Sequence, residues 1–129
     1  MRKIFLRLLS ISILGAFAVP VYADSVLQVW SCKVLEGKTG AELEAVSAAW
    51  FKAAKGMKGG EHLEVNVLFP VVSDTTGGRV LFVVSVPSFE EWGVFTGGYE
   101  GSPAAKADED WNKVASCSGN ALWESVSIK

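Results

Sequence analysis

Apolar and polar positions change period repeatedly along the chain, and each change marks an element. Ser25–Leu35 (SVLQVWSCKVL) is rich in Val, Leu and Trp and holds no Gly or Pro, which predicts a strand. EGKTG follows as a turn, and Thr39 with Glu42 has the spacing of a helix capping box. Beyond it, Leu43, Val46, Trp50, Ala53 and Met57 recur at steps of three and four, as one face of a helix requires. That helix ends at Gly56 and the KGG after it. His62–Val72 then alternates, with Leu63, Val65, Val67 and Phe69 on one side and His62, Glu64 and Asn66 on the other. SDTTGG supplies turn residues, and Arg79–Pro87 is apolar on both faces, as a central covered strand would be.

The last third of the chain predicts a broken helix and a final strand. Ser88 and Glu91 repeat the capping-box spacing, and Phe89, Trp92 and Phe95 step by three until Gly97 and Gly98 stop the helix. Ser102 as N-cap and Pro103 at the first helical position restart it, with Ala104, Ala107, Trp111 and Val114 on one face. The acidic run Asp108–Asp110 reads as a solvated face. SCSGN reads as a loop, and Ala121–Ile128 as the last strand. No linker or low-complexity segment interrupts residues 24–129, so they read as a single domain.

The order β-α-β-β-α-β is the ferredoxin-like pattern of the α+β class. It predicts a four-stranded antiparallel sheet ordered 4-1-3-2 with the helices on one face, the second helix broken in two. One sheet face is then left bare. Strand 3 is apolar on both sides, and strand 1 carries Val26, Gln28 and Trp30 on one side with Leu27 and Val29 on the other. An apolar face of this kind has to be covered, by a second copy of the chain or by a ligand. A homodimer with facing sheets is the expectation.

Composition changes the picture at the N-terminus. Arg2, Lys3 and Arg7 precede an apolar run from Leu8 to Val19, followed by VPVYADS, the form of a secretory signal peptide cleaved after Ala23. The run is too short, and too broken by Gly15 and Pro20, to be a stable membrane anchor. Residues 1–23 are thus expected to be removed and residues 24–129 to be periplasmic or secreted. Without the leader, 9 Lys and Arg face 14 Asp and Glu, a balance of −5 with no basic cluster, which argues against nucleic acid as a partner. Cys32 and Cys117, the chain's two cysteines, are expected to pair in an oxidising compartment. The predicted topology independently brings the end of strand 1 beside the start of strand 4, where they lie. Neither a metal site nor a cofactor is expected, because the single histidine, His62, cannot complete a ligand set.

Candidate chemistry falls into two groups. His62, Glu64 and Asn66 share one side of strand 2, with Arg79 at the start of strand 3 brought near them by a suitable register, and His62 and Asn66 are weak catalytic candidates. Gln28, Trp30 and Trp123 offer an aromatic floor on strands 1 and 4, expected on the same free face. Trp92 is a pocket-wall or core residue on the second helix. No G-x-S-x-G, P-loop or dinucleotide pattern is present.

The element order, the SFEEW helix opening at 88–92 and the apolar strand before it resemble the dimeric α+β barrel superfamily, which includes antibiotic-biosynthesis monooxygenase-like proteins. The resemblance covers nearly all of residues 24–129 in pattern but few residues in identity. Phe89 and Trp92 match an F-x-x-W arrangement that lines the pocket of haem-degrading members. Ser102 stands where those members carry the haem-ligand histidine, and Val26–Val34 holds no asparagine to match their pocket residue. Two functions are therefore expected. One is an exported domain that binds a small apolar or aromatic ligand, or a partner, through its free sheet face. The alternative, implied by the resemblance, is a cofactor-independent monooxygenase-like enzyme using the barrel interior.

Overall fold

A computed structural model describes residues 25–72 and 78–128. The signal-peptide reading of residues 1–23, and most of the SDTTGG turn, lie outside the described residues. The elements are β1 (Ser25–Val34), α1 (Gly40–Lys55), β2 (Glu64–Leu68), β3 (Val80–Val86), α2 (Phe89–Gly97), α3 (Pro103–Trp111) and β4 (Ala115–Ser125). The sheet is antiparallel in the order β2-β3-β1-β4, the ferredoxin-like arrangement read from the sequence. Among the described residues there are three helices, because the broken second helix forms two separate ones.

Each helix starts as its sequence dictates. Thr39 accepts from the Glu42 amide while the Glu42 carboxylate accepts from the Thr39 amide, closing a full capping box on α1. Ser88 caps α2 in one direction only: its hydroxyl accepts from the Glu91 amide, but the Glu91 carboxylate turns to His62 instead. Ser102 caps α3, with Pro103 in the first turn.

The core lies between the sheet and the helices. Val80, Phe82, Val84 and Val86 of β3 are buried, and α1 covers them with Leu43 and Trp50. Indole Nε1–H of Trp111 donates to Ser47 Oγ at 3.0 Å, joining α3 to α1 through the one buried polar residue of the described core. Of the stripe Phe89, Trp92 and Phe95 read from the sequence, Phe95 is buried, but Phe89 stands at the helix start and is 54% exposed.

Two strands have different limits from those predicted. The second is short because His62 and Leu63 fold into a turn, with the Leu63 amide donating to the Gly60 carbonyl, and Pro70 offers no donor to extend the ladder. The fourth begins at Ala115, so SCSGN is strand, not loop. It pairs with β1 through Cys32↔Cys117, with a register shift between Ser31 and Cys32 that absorbs an extra residue as a β-bulge. Cys32 and Cys117 form the expected disulfide. Among the described residues, no helix is long and apolar enough to cross a membrane.

Candidate functional site

Strand register decides which residues can meet. Gln28 pairs with Val84 and Trp30 with Phe82, and both partners are buried under the helices. Gln28 and Trp30 therefore point toward the helices, not to the free face where the sequence placed them. Trp123 pairs with Leu27 and lies on the opposite side of the sheet, 58% exposed. Glu64 and Asn66 do lie on that free face, across from Ser85 and Val83. His62 does not join them. It precedes β2, and its Nδ1 meets Glu91 Oε2 at 3.2 Å with the imidazole 70% exposed, an ion pair only when the ring is protonated. Arg79 lies far from this set as well, donating to Ser31 and Ser118 at the β1–β4 end of the sheet.

Gln28 and Trp30 instead border a cavity of about 370 Å³ between the sheet and the three helices. Trp50 comes from α1, Trp92, Phe95 and Thr96 from α2, Asp108 and Trp111 from α3, and Tyr99 from the connection between α2 and α3. Phe82 is the floor: its ring centroid lies 5.7 Å from Trp30, 5.5 Å from Trp50 and 5.4 Å from Trp111, in tilted or edge-on contacts. Trp50 also meets Phe95 edge-on at 6.1 Å. The cavity exists because α1 packs chiefly on α3, while α2 makes few contacts with β3 and stands away from the sheet.

The polar groups of the cavity wall mostly satisfy one another. Trp92 Nε1–H donates to Gln28 Oε1 at 3.0 Å, and Gln28 Nε2 donates to Asn120 Oδ1 at 3.2 Å, a chain that ties α2 to β1 and β4. Trp50 Nε1–H donates to Tyr99 Oη at 2.8 Å, leaving the tyrosine hydroxyl free to donate. Burial pushes the Tyr99 phenol up, the Trp50 indole opposes this, and the Asp108 charge adds to it. Burial likewise raises the Asp108 carboxyl, offset in part by the Asn112 amide beside it. Among the described residues, no Lys, Arg or His lines the cavity.

A second hollow of similar volume, between α1 and β2 over Phe51 and Phe69, is more open and gathers few polar groups.

Of the residues singled out in the sequence, Gln28, Trp30 and Trp92 converge here. The sequence reading missed Asp108 and Tyr99. A signal for Asp108 was available: it stands four residues after Ala104 and three before Trp111, on the stripe that α3 buries. The parity of β1 was readable too, since Gln28 and Trp30 alternate in step with Cys32, which the disulfide draws inward.

No family model matches the chain, and no curated protein matches it significantly in sequence. Solved structures match its fold. SnoaB, a cofactor-independent oxygenase from Streptomyces nogalater, is 16% identical with a TM-score of 0.50, over 82% of this chain and 97% of that one. A hydroxynitrile lyase from Passiflora edulis is 8% identical with a TM-score of 0.55, over 83% and 96%. A dimeric ferredoxin-like protein of unknown function from Thermobifida fusca is 8% identical with a TM-score of 0.51, over 79% and 90%. At these identities the likeness is one of architecture: the chain has a ferredoxin-like fold.

Proposed function

We propose that residues 24–129 form an exported binding domain that holds a small, flat, apolar or aromatic molecule in the cavity between sheet and helices. The cavity itself carries this reading: about 370 Å³ walled by Trp30, Trp50, Trp92 and Trp111 over Phe82, with few free polar groups. The disulfide and the leader-like N-terminus support export to the periplasm or beyond. The bare side of the sheet serves a second copy of the chain, giving a homodimer whose two cavities lie on its outer sides. Of the groups put forward for the oxygenase alternative, Trp30 and Trp92 border the cavity, whereas His62 and Asn66, its weak catalytic candidates, do not.

Binding is tested by titrating the purified protein with the neutral fluorophore N-phenyl-1-naphthylamine. Trp92→Ala is expected to weaken binding by about tenfold, the equivalent of about 1.4 kcal/mol of lost aromatic contact. Trp123→Ala is expected to leave the affinity unchanged. Loss of binding in Trp123→Ala with retention in Trp92→Ala would move the site to the free sheet face and overturn the cavity assignment.

A further inference from the structure

We propose that the ligand of this cavity is cationic: an aromatic or aliphatic molecule carrying a quaternary or tertiary ammonium group, seated on the tryptophan faces with its charge toward Asp108. This rests on the cavity being the binding site, as proposed above, and adds the charge of what enters it.

The inference follows from what the wall has left to offer. Three indole N–H groups are already committed within the protein, those of Trp50 to Tyr99, Trp92 to Gln28 and Trp111 to Ser47. These rings consequently present π-faces rather than donors. Both ends of the Gln28 amide are used, by Trp92 and Asn120, and the Thr96 hydroxyl donates to the Trp92 carbonyl at 2.8 Å. Trp30, Tyr99 and Asn112 also border the space with N–H or O–H groups, but the Asp108 carboxylate is the one charged group among the described residues of the wall, and it can only accept.

Charge selects further. Among the described residues, Asp108 is the only charged side chain of the wall, so an anionic ligand would meet a carboxylate and no counter-ion there. A neutral apolar ligand would fill the volume but would further desolvate Asp108 without pairing it, at a cost. An ammonium group removes that cost and gains from the negative faces of the surrounding rings, an attraction that strengthens as water is excluded. Aromatic rings around a single carboxylate make a cage suited to a cation whose hydration is weak, which a quaternary ammonium is and a small metal ion is not. The net charge of −5 for residues 24–129 adds long-range attraction of the same sign.

The test compares three probes of one shape by calorimetry on the purified chain: 2-naphthylmethyl-trimethylammonium, 2-naphthylmethanol and 2-naphthoate. The expected order is cation, then neutral, then anion, with the cation at least about tenfold tighter than the neutral probe. In Asp108→Asn the cation-to-neutral ratio is expected to fall to near one, and in Asp108→Glu, which keeps the charge, to persist. Near-UV circular dichroism checks that both variants keep their packed aromatics. Binding of all three probes with equal affinity, or tightest binding of 2-naphthoate, overturns the charge assignment while leaving the cavity reading standing. Binding of none overturns both.

Discussion

Asp108 shows how a residue's surroundings, rather than its type, set its role. In the sequence it belongs to an acidic run, and Glu109 and Asp110 are indeed exposed. Asp108 falls on the inward stripe of α3 and borders the cavity, where burial raises its carboxyl above the ordinary range. The folded chain therefore holds this proton more tightly than the unfolded chain. Stability carried by the group is full below the unfolded value of about 3.9 and is lost as pH rises through the raised folded value. Removing the charge should reverse that loss. Asp108→Asn is expected to be more stable than the parent at pH 7, by less than about 1 kcal/mol because solvent still screens the group. The difference should shrink toward zero near pH 3. Urea melts at the two pH values measure it, and an Asn variant less stable at pH 7 would contradict the assignment. A gain in stability from a change that weakens ligand binding is the usual trade at a functional site.

At the scale of elements, the helices were readable from local chemistry and the strand edges were not. Thr39, Ser88 and Ser102 announce their helices because a capping hydroxyl acts within its own turn. The limits of β4 depend instead on β1. SCSGN has the composition of a loop, yet ladder bonds to β1, the bulge beside Ser31 and the disulfide hold it as strand. Site residues split along the same line. Gln28, Trp30 and Trp92 drew notice as polar or aromatic residues in suggestive places, but with both sides of β1 apolar the face of Gln28 and Trp30 follows only from their alternation with Cys32, whose place depends on the distant Cys117. The closing loop of the disulfide spans 85 residues in sequence, so its removal frees a large part of the unfolded chain. The double variant Cys32→Ser, Cys117→Ser is expected to lose about 2–5 kcal/mol in urea melts. Hydrogen exchange should show protection lost first at residues 115–120, where pairing relies on the staple. Uniform loss across the sheet would mean that the ladder alone sets the β4 limits.

At the scale of the whole molecule, the side of the sheet away from the helices is the unfinished surface. Leu27 and Val29 of β1, Leu81 and Val83 of β3, Leu68 of β2 and Trp123 of β4 share it, together with the polar Glu64 and Asn66 of β2, Ser85 of β3 and Ser31 of β1. Leu68, Leu81 and Trp123 are exposed in the single chain. A contiguous apolar face of this kind calls for a partner. A second copy fits it because a two-fold axis through the face presents each strand to its own equivalent, so the patch needs only to complement itself. Sedimentation velocity at micromolar concentration should thus give twice the chain mass, and Leu81→Glu, which places a carboxylate at the centre of the contact, should give the monomer with its far-UV spectrum intact. The cavity opens on the other side of the sheet, so the monomeric variant should still bind N-phenyl-1-naphthylamine. Loss of binding together with loss of the dimer would show that the two sides of the sheet are coupled, and a wild-type chain that sediments as a monomer would leave the apolar face to a different partner.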